Sequence, residues 1–487
     1  MTPEEALAIY HAGPEVVVKV LCELSNQVKL LQNQVAELQK EVQILKDQLA
    51  KNSRNSSKPP SSDGLKKPSP KSLRPRGKSN PGGQKGHSGS TLKMVDNPNH
   101  CVVHSVKQCQ KCGRCLADET PIDIEKRQVF DIPPIQMEVT CHQAHTKQCP
   151  HCGYLNKAVF PEQVKAPVQY GTRLKAIAVY LRQYQLLPYN RTRELFRDLF
   201  SIDLSEGTLT NITNTCSKLL QQPLNQIQKQ LEQSKVVHFD ETGSSVEGKL
   251  QWLHAAATPN LTYYQIHPKR GCDAMDHMDI LPNFNGRAIH DFWKPYFKYH
   301  CNHGLCNAHH LRELIFLHEQ HDQQWAKEMM DCLVDIKKSV DEAKTSTNTL
   351  FKEQIQKFEA RYQNILDEGY NENPLPKKES TKKRKRGRIK KTKARNLLER
   401  LDEHRKEVLA FMCDFKVPFD NNLIERDLRM AKVQQKISGT FRSQDGADAF
   451  CRIRSYISTV RKNAVNAIDA IGSAFEGCAF LPSSQSP

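Results

Sequence analysis

Leucine and valine recur at alternating three- and four-residue steps near the start of the chain: Leu21, Leu24, Val28, Leu31, Val35, Leu38, Val42, Leu45 and Leu49. Polar and charged residues fill the positions between. The valines fall at a and most of the leucines at d, the combination that favours a parallel two-stranded coiled coil. The stripe is narrower than the apolar face a globular helix buries. Residues 1–50 are therefore expected to form a helix that pairs with a second copy, giving a homodimer or higher oligomer.

The pattern changes after residue 165. LKAIAVYLRQYQLLPYN reads as an amphipathic helix ended near Pro188, and RTRELFRDLF, SIDLS and EGTLTNITNTCSKLL read as helix, break and helix, with Ser205 as an N-cap. Residues 166–232 are thus a helical, helix-turn-helix-like module that could either meet DNA or simply pack. From Lys235 the period shortens to that of strands: VVHFD, LQWLHAAAT, LTYYQIHP and RAIHDFW, with a helix expected around Asp273–Leu281 and a short strand and helix in LCNAHHLRELIFLHEQ. This order, over 233–312, is that of a ribonuclease-H-like core. Residues 313–415 are long, polar and helical, an insertion. Residues 416–487 resume the core with VPFDNNLIERDLRMAKVQQKISGTFRS and closing helices. The fold class expected is multidomain α/β.

Charge adds the partner. The 487 residues carry 71 Lys and Arg against 54 Asp and Glu, a net charge of +17, which implies a polyanion. Two segments concentrate it. Lys51–Lys93, within a basic arm spanning 51–100, has eleven Lys or Arg, six prolines and one acid, a composition that cannot bury a core. KKESTKKRKRGRIKKTKAR, from Lys377, sets twelve basic residues against one acid. No apolar run approaches the roughly 20 residues needed to span a bilayer, and MTPEEALAIYHAG lacks the features of a secretory signal. A cytoplasmic, nucleoid-associated protein is expected.

Sixteen cysteines without a signal point to reduced thiols and metal rather than disulfides. Within 101–165, Cys109-x-x-Cys112 and Cys149-x-x-Cys152 are each followed by glycine, as in a pair of zinc knuckles supplying four thiolates to one structural Zn²⁺. VFDIPPIQMEVT between them reads as ribbon strands. Cys115, Cys141, His142, His145 and His151 lie near enough to leave the ligand set open.

Three carboxylates stand out in the core. Asp240 and Asp291 each follow a buried apolar run, at the ends of neighbouring central strands, and Glu425 falls in the first turn of a helix capped by Asn421 or Asn422. Hard cations such as Mg²⁺ prefer such oxygens, and two ions roughly 4 Å apart clamp the attacking and leaving oxygens of a phosphoryl transfer. Glu241, Glu247 and Glu313 are nearby acids that sequence does not exclude. His238, His290, His309 and His310 are expected to pack, support or contact phosphate, because Mg²⁺ prefers oxygen. Trp293 and Tyr296 are expected in the core more than on a flipped base. Arg426, Arg429 and Lys432 recur on one helix flank, and with Arg442, Lys85, Lys383, Arg384 and Arg386 they are the expected DNA contacts. Phe441 and the Gly439 loop could approach the backbone.

These boxes, nearly end to end and in order (NSSKPPSSD, GGQKGHSG, the double CxxC, HFDETG, HDFWKPYF, CNAHHLREL and the terminal NNLIERDLRMAK), resemble the insertion-sequence 66 family of bacterial DDE transposases. The resemblance implies Asp240, Asp291 and Glu425 as a catalytic triad using Mg²⁺ or Mn²⁺. The assignment of Glu425 leans on it most. It also implies cleavage at the ends of a mobile element and strand transfer into target DNA, with companion proteins of the element as possible partners. A zinc-containing DNA-binding regulator and a nuclease that cuts without joining are the alternatives.

Overall fold

The computed structural model describes residues 2–56, 58, 63, 92–375 and 391–483. The chain divides into two compact units: Met1–Ser69 with Pro161–Thr192 and Ser205–Pro487, and Pro70–Phe160 with Arg193–Leu204. Lys85, Lys383, Arg384 and Arg386 lie outside the described residues.

The N-terminus forms α1 (Pro3–His11) and the 37-residue α2 (Pro14–Ala50), about 55 Å long at 1.5 Å per residue. All nine residues of the predicted stripe are solvent-exposed. The last turn of α2 is held to the rest of its unit: the buried Asp47 accepts from Lys393 Nζ at 2.6 Å and lies 3.2 Å from His321 Nε2.

Among the described residues of the second unit the strands are one antiparallel pair, β1 (Thr146–Gln148) with β2 (Leu155–Lys157). The segment VFDIPPIQMEVT, expected as strands, is in none. Pro133 and Pro134 have no amide to donate to a ladder, and the segment is exposed almost throughout, with no apolar layer to fix it.

The helical module opens with α3 (Thr172–Val179), continued by a π-helical turn at Tyr180–Tyr184. It goes on through α4 (Tyr189–Phe200), α5 (Glu206–Leu219) and α6 (Gln221–Glu232). Ser205 caps α5 as expected, its hydroxyl accepting from Thr208 N at 3.0 Å.

A five-stranded mixed sheet follows. Its members are β3 (Val236–Val246), β4 (Lys249–Ala257), β5 (Thr262–His267), β6 (Arg287–His290) and β7 (Asn302–Leu305), in spatial order β5-β4-β3-β6-β7. The first three form an antiparallel meander, while β6 and β7 run parallel to β3. The crossover into β6 carries α7 (Cys272–Met278). Beyond β7 come α8 (Asn307–His321), α9 (Gln324–Ala343), α10 (Lys352–Glu372), α11 (Lys393–Glu403) and two short helices, α12 (Arg405–Val408) and α13 (Ala410–Cys413). They enclose an apolar cluster around Trp325, Met329, Leu333, Tyr362 and Leu398. The chain then returns to the sheet as α14 (Asn422–Ser438), α15 (Gln444–Lys462) and α16 (Ala467–Phe475).

Both sheet edges are managed. β7 is four residues long, and hydroxyls on α15 take up amides of β5: Thr459 Oγ1 accepts from Thr262 N at 3.0 Å and Ser455 Oγ from Tyr264 N at 2.8 Å. Covering free edge groups in this way removes a template for association. On the face carrying α14, Ile424 and Leu428 pack with Leu253, Ala255 and Phe450. That packing carries Glu425 to the sheet.

Candidate active site

Asp240 stands within β3 rather than at its end, because the strand runs on to Val246 in a hairpin with β4. Its relation to Asp291 comes from the parallel neighbour. Val236, Val237 and His238 pair with Arg287, Ala288 and Ile289. Continuing that register by two residues sets Asp240 level with Asp291, the residue that follows β6. Residues two apart share a face of a strand, so the two acids rise from adjacent strands at one height.

Glu425 arrives from α14, in its first turn. Asn421 precedes this helix, but its side chain does not cap it. Nδ2 donates to Phe239 O at 2.9 Å and Oδ1 meets His238 Nδ1 at 2.7 Å. The Asn421 amide donates to Cys306 Sγ at 3.2 Å, and the Asn307 amide to Phe419 O at 3.0 Å. The starts of α8 and α14 are thereby stapled together beside β3. The expected cap is replaced by a tie to the strand that carries Asp240.

The electrostatics follow from this crowding. Burial, then the charges of Glu241, Asp291 and Glu425, push the Asp240 carboxyl well above the usual carboxylate range. The opposing bond comes from Glu241 N, 2.9 Å from Asp240 Oδ1. Asp291 Oδ1 accepts from Trp293 N at 3.2 Å. Arg312 stands 3.9 Å from one Glu425 oxygen, and the other, Oε1, is buried without a hydrogen-bond partner.

The neighbouring acids differ. Glu241 Oε1 accepts from Arg270 Nε at 2.9 Å and from a second Arg270 nitrogen at 2.6 Å, and Oε2 accepts from Tyr296 OH at 2.6 Å. Arg270 lies over the rings of Trp252 and Trp293, 4.8 and 4.1 Å from their centroids. Glu313 is held by Arg400 through both oxygens. Glu247 sits with Gly248 at the β3–β4 turn, at φ +52°. Arg270 and Arg312 went unnoticed in the sequence, where nothing distinguishes them from the many other arginines.

Of the four histidines, three have internal roles. His238 is tied to Asn421. His290 is stacked on Tyr296 and lies 3.0 Å from His303 Nδ1, and burial takes its pKa down to about 3. His310 meets Asn307 Oδ1 at 3.1 Å and is likewise lowered by burial to about 3. His309 is the exception: its Nδ1 is buried with no hydrogen-bond partner. Among the described residues, one group of three or more His, Cys, Asp and Glu donors has all its ligand atoms within 4.8 Å of one another, namely Cys306, His309 and Glu425. Asp240 feels the charges of both Asp291 and Glu425, but neither aspartate meets that limit with Glu425.

Of the basic residues expected to face DNA, Arg426, Arg429 and Arg442 are exposed. Lys432 instead donates to the Gly243 carbonyl, which ties α14 to β3. Phe441 is bonded to the end of β3, its amide to Ser245 O at 2.9 Å and its carbonyl accepting from Glu247 N at 2.8 Å. It packs on Phe450.

In the second unit the two cysteine pairs are built alike. Cys109 N donates to Arg114 O at 2.9 Å and Cys149 N to Tyr154 O at 2.8 Å. Gly113 N and Gly153 N return to Cys109 O and Cys149 O, both at 2.9 Å. The two glycines have φ of +77° and +73°, a region closed to most side chains. Backbone amides at Cys112 and Lys111 lower the Cys109 thiol, and those at Cys152 and His151 lower Cys149. Each turn is therefore a preformed hook that carries two sulfurs, although the four sulfurs are not gathered within 4.8 Å.

The family model described as Transposase IS66 family matches residues 167–449, and that described as zinc-finger binding domain of transposase IS66 matches 107–153. A family of unknown function, DUF6444, matches residues 12–93. No curated protein matches the chain.

Proposed function

Because the chain belongs to the IS66 family of transposases, a family of DNA-acting enzymes, we propose that it cleaves DNA at the ends of an insertion sequence and transfers the freed 3′ ends to target DNA. Asp240, Asp291 and Glu425 are its catalytic carboxylates, on a ribonuclease-H-like core. The observation that carries this reading is the meeting of three acids from β3, the end of β6 and α14, without the cations that neutralise Glu241 and Glu313. These three residues would hold Mg²⁺ or Mn²⁺, which activates the attacking oxygen and neutralises the scissile phosphate when bound. Asn421 keeps Glu425 at the sheet. Arg312 leaves a guanidinium at the rim, a donor suited to phosphate.

Zn²⁺ fits the two hooks of the second unit, with Cys109, Cys112, Cys149 and Cys152 as ligands. Arg426, Arg429 and Arg442 are free to meet DNA phosphate. α2 pairs with a second copy along Leu21–Leu49, since a stripe left in water along 37 residues has apolar surface to bury. Charged residues replacing Leu31 and Leu38 should reduce the mass seen by light scattering to that of one chain; an unchanged mass rules out this pairing.

The principal test uses labelled element-end DNA with Mg²⁺ or Mn²⁺. Wild type should give cleaved and joined products, and Asp240→Asn, Asp291→Asn and Glu425→Gln should bind the ends without either product. Cleavage that survives Asp240→Asn overturns the assignment, and cleavage without joining makes the protein a nuclease.

A further inference from the structure

We propose that His309 supplies a nitrogen ligand on the Glu425 side of the metal centre, so that the site is built from three carboxylates and one imidazole. The proposal deepens the catalytic reading above and rests on it. Its basis is placement. His309 and Glu425 occupy the first turns of α8 and α14, the two helix starts stapled together by Asn421 N to Cys306 Sγ and Asn307 N to Phe419 O. Their donor atoms lie within 4.8 Å of each other. Both present a buried atom with no hydrogen-bond partner, His309 Nδ1 and Glu425 Oε1. Buried polar atoms left without a partner are costly in a folded protein, and a cation held between these two side chains would relieve both.

The other members of the neighbourhood do not compete. The Cys306 thiol is buried and already accepts from Asn421 N. His310 is one position, or about 100°, further round α8, and is occupied by Asn307. His309 is thus the imidazole of the CNAHHLREL box that faces the carboxylates. An imidazole in the set shifts selectivity from Mg²⁺ towards Mn²⁺, which accepts nitrogen more readily.

The test is spectroscopic and independent of turnover. Full-length protein with zinc-loaded knuckles is titrated with Mn²⁺ without DNA, and the bound ion is examined by pulsed electron paramagnetic resonance. Wild type should show a nitrogen hyperfine coupling that changes on ¹⁵N-histidine labelling. In His309→Gln the coupling should vanish while Mn²⁺ still binds, roughly tenfold more weakly or worse, as for lost support at metal sites. Bound Mn²⁺ without a histidine coupling in wild type overturns the proposal and leaves the carboxylate reading standing. That outcome decides the matter even should His309→Gln fail to fold. Coupling that persists in folded His309→Gln also overturns it. Mn²⁺ binding that survives Asp240→Asn with Asp291→Asn overturns both readings.

Discussion

Replacing Arg270 by alanine is the sharpest test of how Glu241 is stabilised beside the proposed catalytic carboxylates. The Glu241 side chain is 1% exposed and Arg270 36% exposed. The substitution strands a buried carboxyl that keeps only Tyr296 OH. Breaking a buried pair costs about 3–5 kcal/mol, but the partial exposure of Arg270 lets water screen the charge and lowers that figure. Loss of the contacts with Trp252 and Trp293 adds about 0.5–1 kcal/mol each at such a site. A net loss of about 2–3 kcal/mol is expected. The sign with pH is fixed. Burial, then the charge of Asp291, already raises the Glu241 pKa above its usual value, and removing Arg270 raises it further. A carboxyl raised in the folded state loses stability as pH climbs from its unfolded to its folded pKa, so the defect should be larger at pH 8 than at pH 5. Glu241→Gln removes the charge, and the double variant should recover about half the loss of Arg270→Ala. Two of the three tryptophans flank Arg270, so denaturant unfolding followed by their fluorescence reads the right region. A loss below about 0.5 kcal/mol, or strictly additive variants, refutes the reasoning, since coupled neighbours depart from additivity by 0.5–3 kcal/mol.

Gly286 abuts the start of β3: a Cβ there would lie 2.8 Å from Lys235 O and closer still to Ser234 O. Gly286→Ala should therefore cost roughly 1–3 kcal/mol as an overpacked site, read as a lowered melting temperature; an unchanged one refutes it. Asp47 anchors the foot of α2. Burial alone would raise its carboxyl, but bonds from Lys393 and Gln43 and the proximity of His321 outweigh this and hold it below its usual 3.8. That stabilisation is present above pH 3.8 and lost as pH falls through the lowered value, so the gap between wild type and Asp47→Asn in unfolding should close as pH falls below 3.8. A gap independent of pH would contradict it. Cys109→Ser or Cys149→Ser should each release the zinc of the second unit, measured with a colorimetric chelator. Retention of one equivalent in either variant would exclude that thiol as a ligand.

Much of the sheet was legible because its signals are local. VVHFD and RAIHDFW are apolar runs ending in acids, and they became β3 and β6 with Asp240 and Asp291 at one register level. The Ser205 cap and the paired cysteine turns are likewise short-range, set by a hydroxyl or a positive-φ glycine within a few residues. What failed depended on distant partners. Asn421 looks like a cap in FDNNLIERD, but β3, more than 180 residues earlier, offers its side chain His238 and Phe239 O. Lys432 is exposed, and its bond to the Gly243 carbonyl also depends on a partner far away in sequence. VFDIPPIQMEVT has the β-branched and aromatic composition of a strand, yet two prolines and the lack of an apolar layer leave it outside one. That Arg270 lies against Glu241 was likewise out of reach of the residues around HFDETG.

The state of each acid's partners is the strongest internal argument about the site. Glu241 spends both oxygens on Arg270 and Tyr296, Glu313 both on Arg400, and Asp427 takes Lys462 at 2.7 Å and Thr262 at 3.1 Å. Where the fold needs an acid for structure, it supplies the cation. Among the described residues, Asp240 and Asp291 each receive a single side-chain bond, from a backbone amide, and Glu425 has Arg312 only at 3.9 Å. Clustered carboxylates left so nearly bare repel one another and oppose folding. The fold holds them together regardless, through the β3–β6 register and the Asn421 tie. On the proposed reading, compensation comes from outside the polypeptide: divalent cations beside a DNA phosphate would supply it in the form that phosphoryl transfer requires.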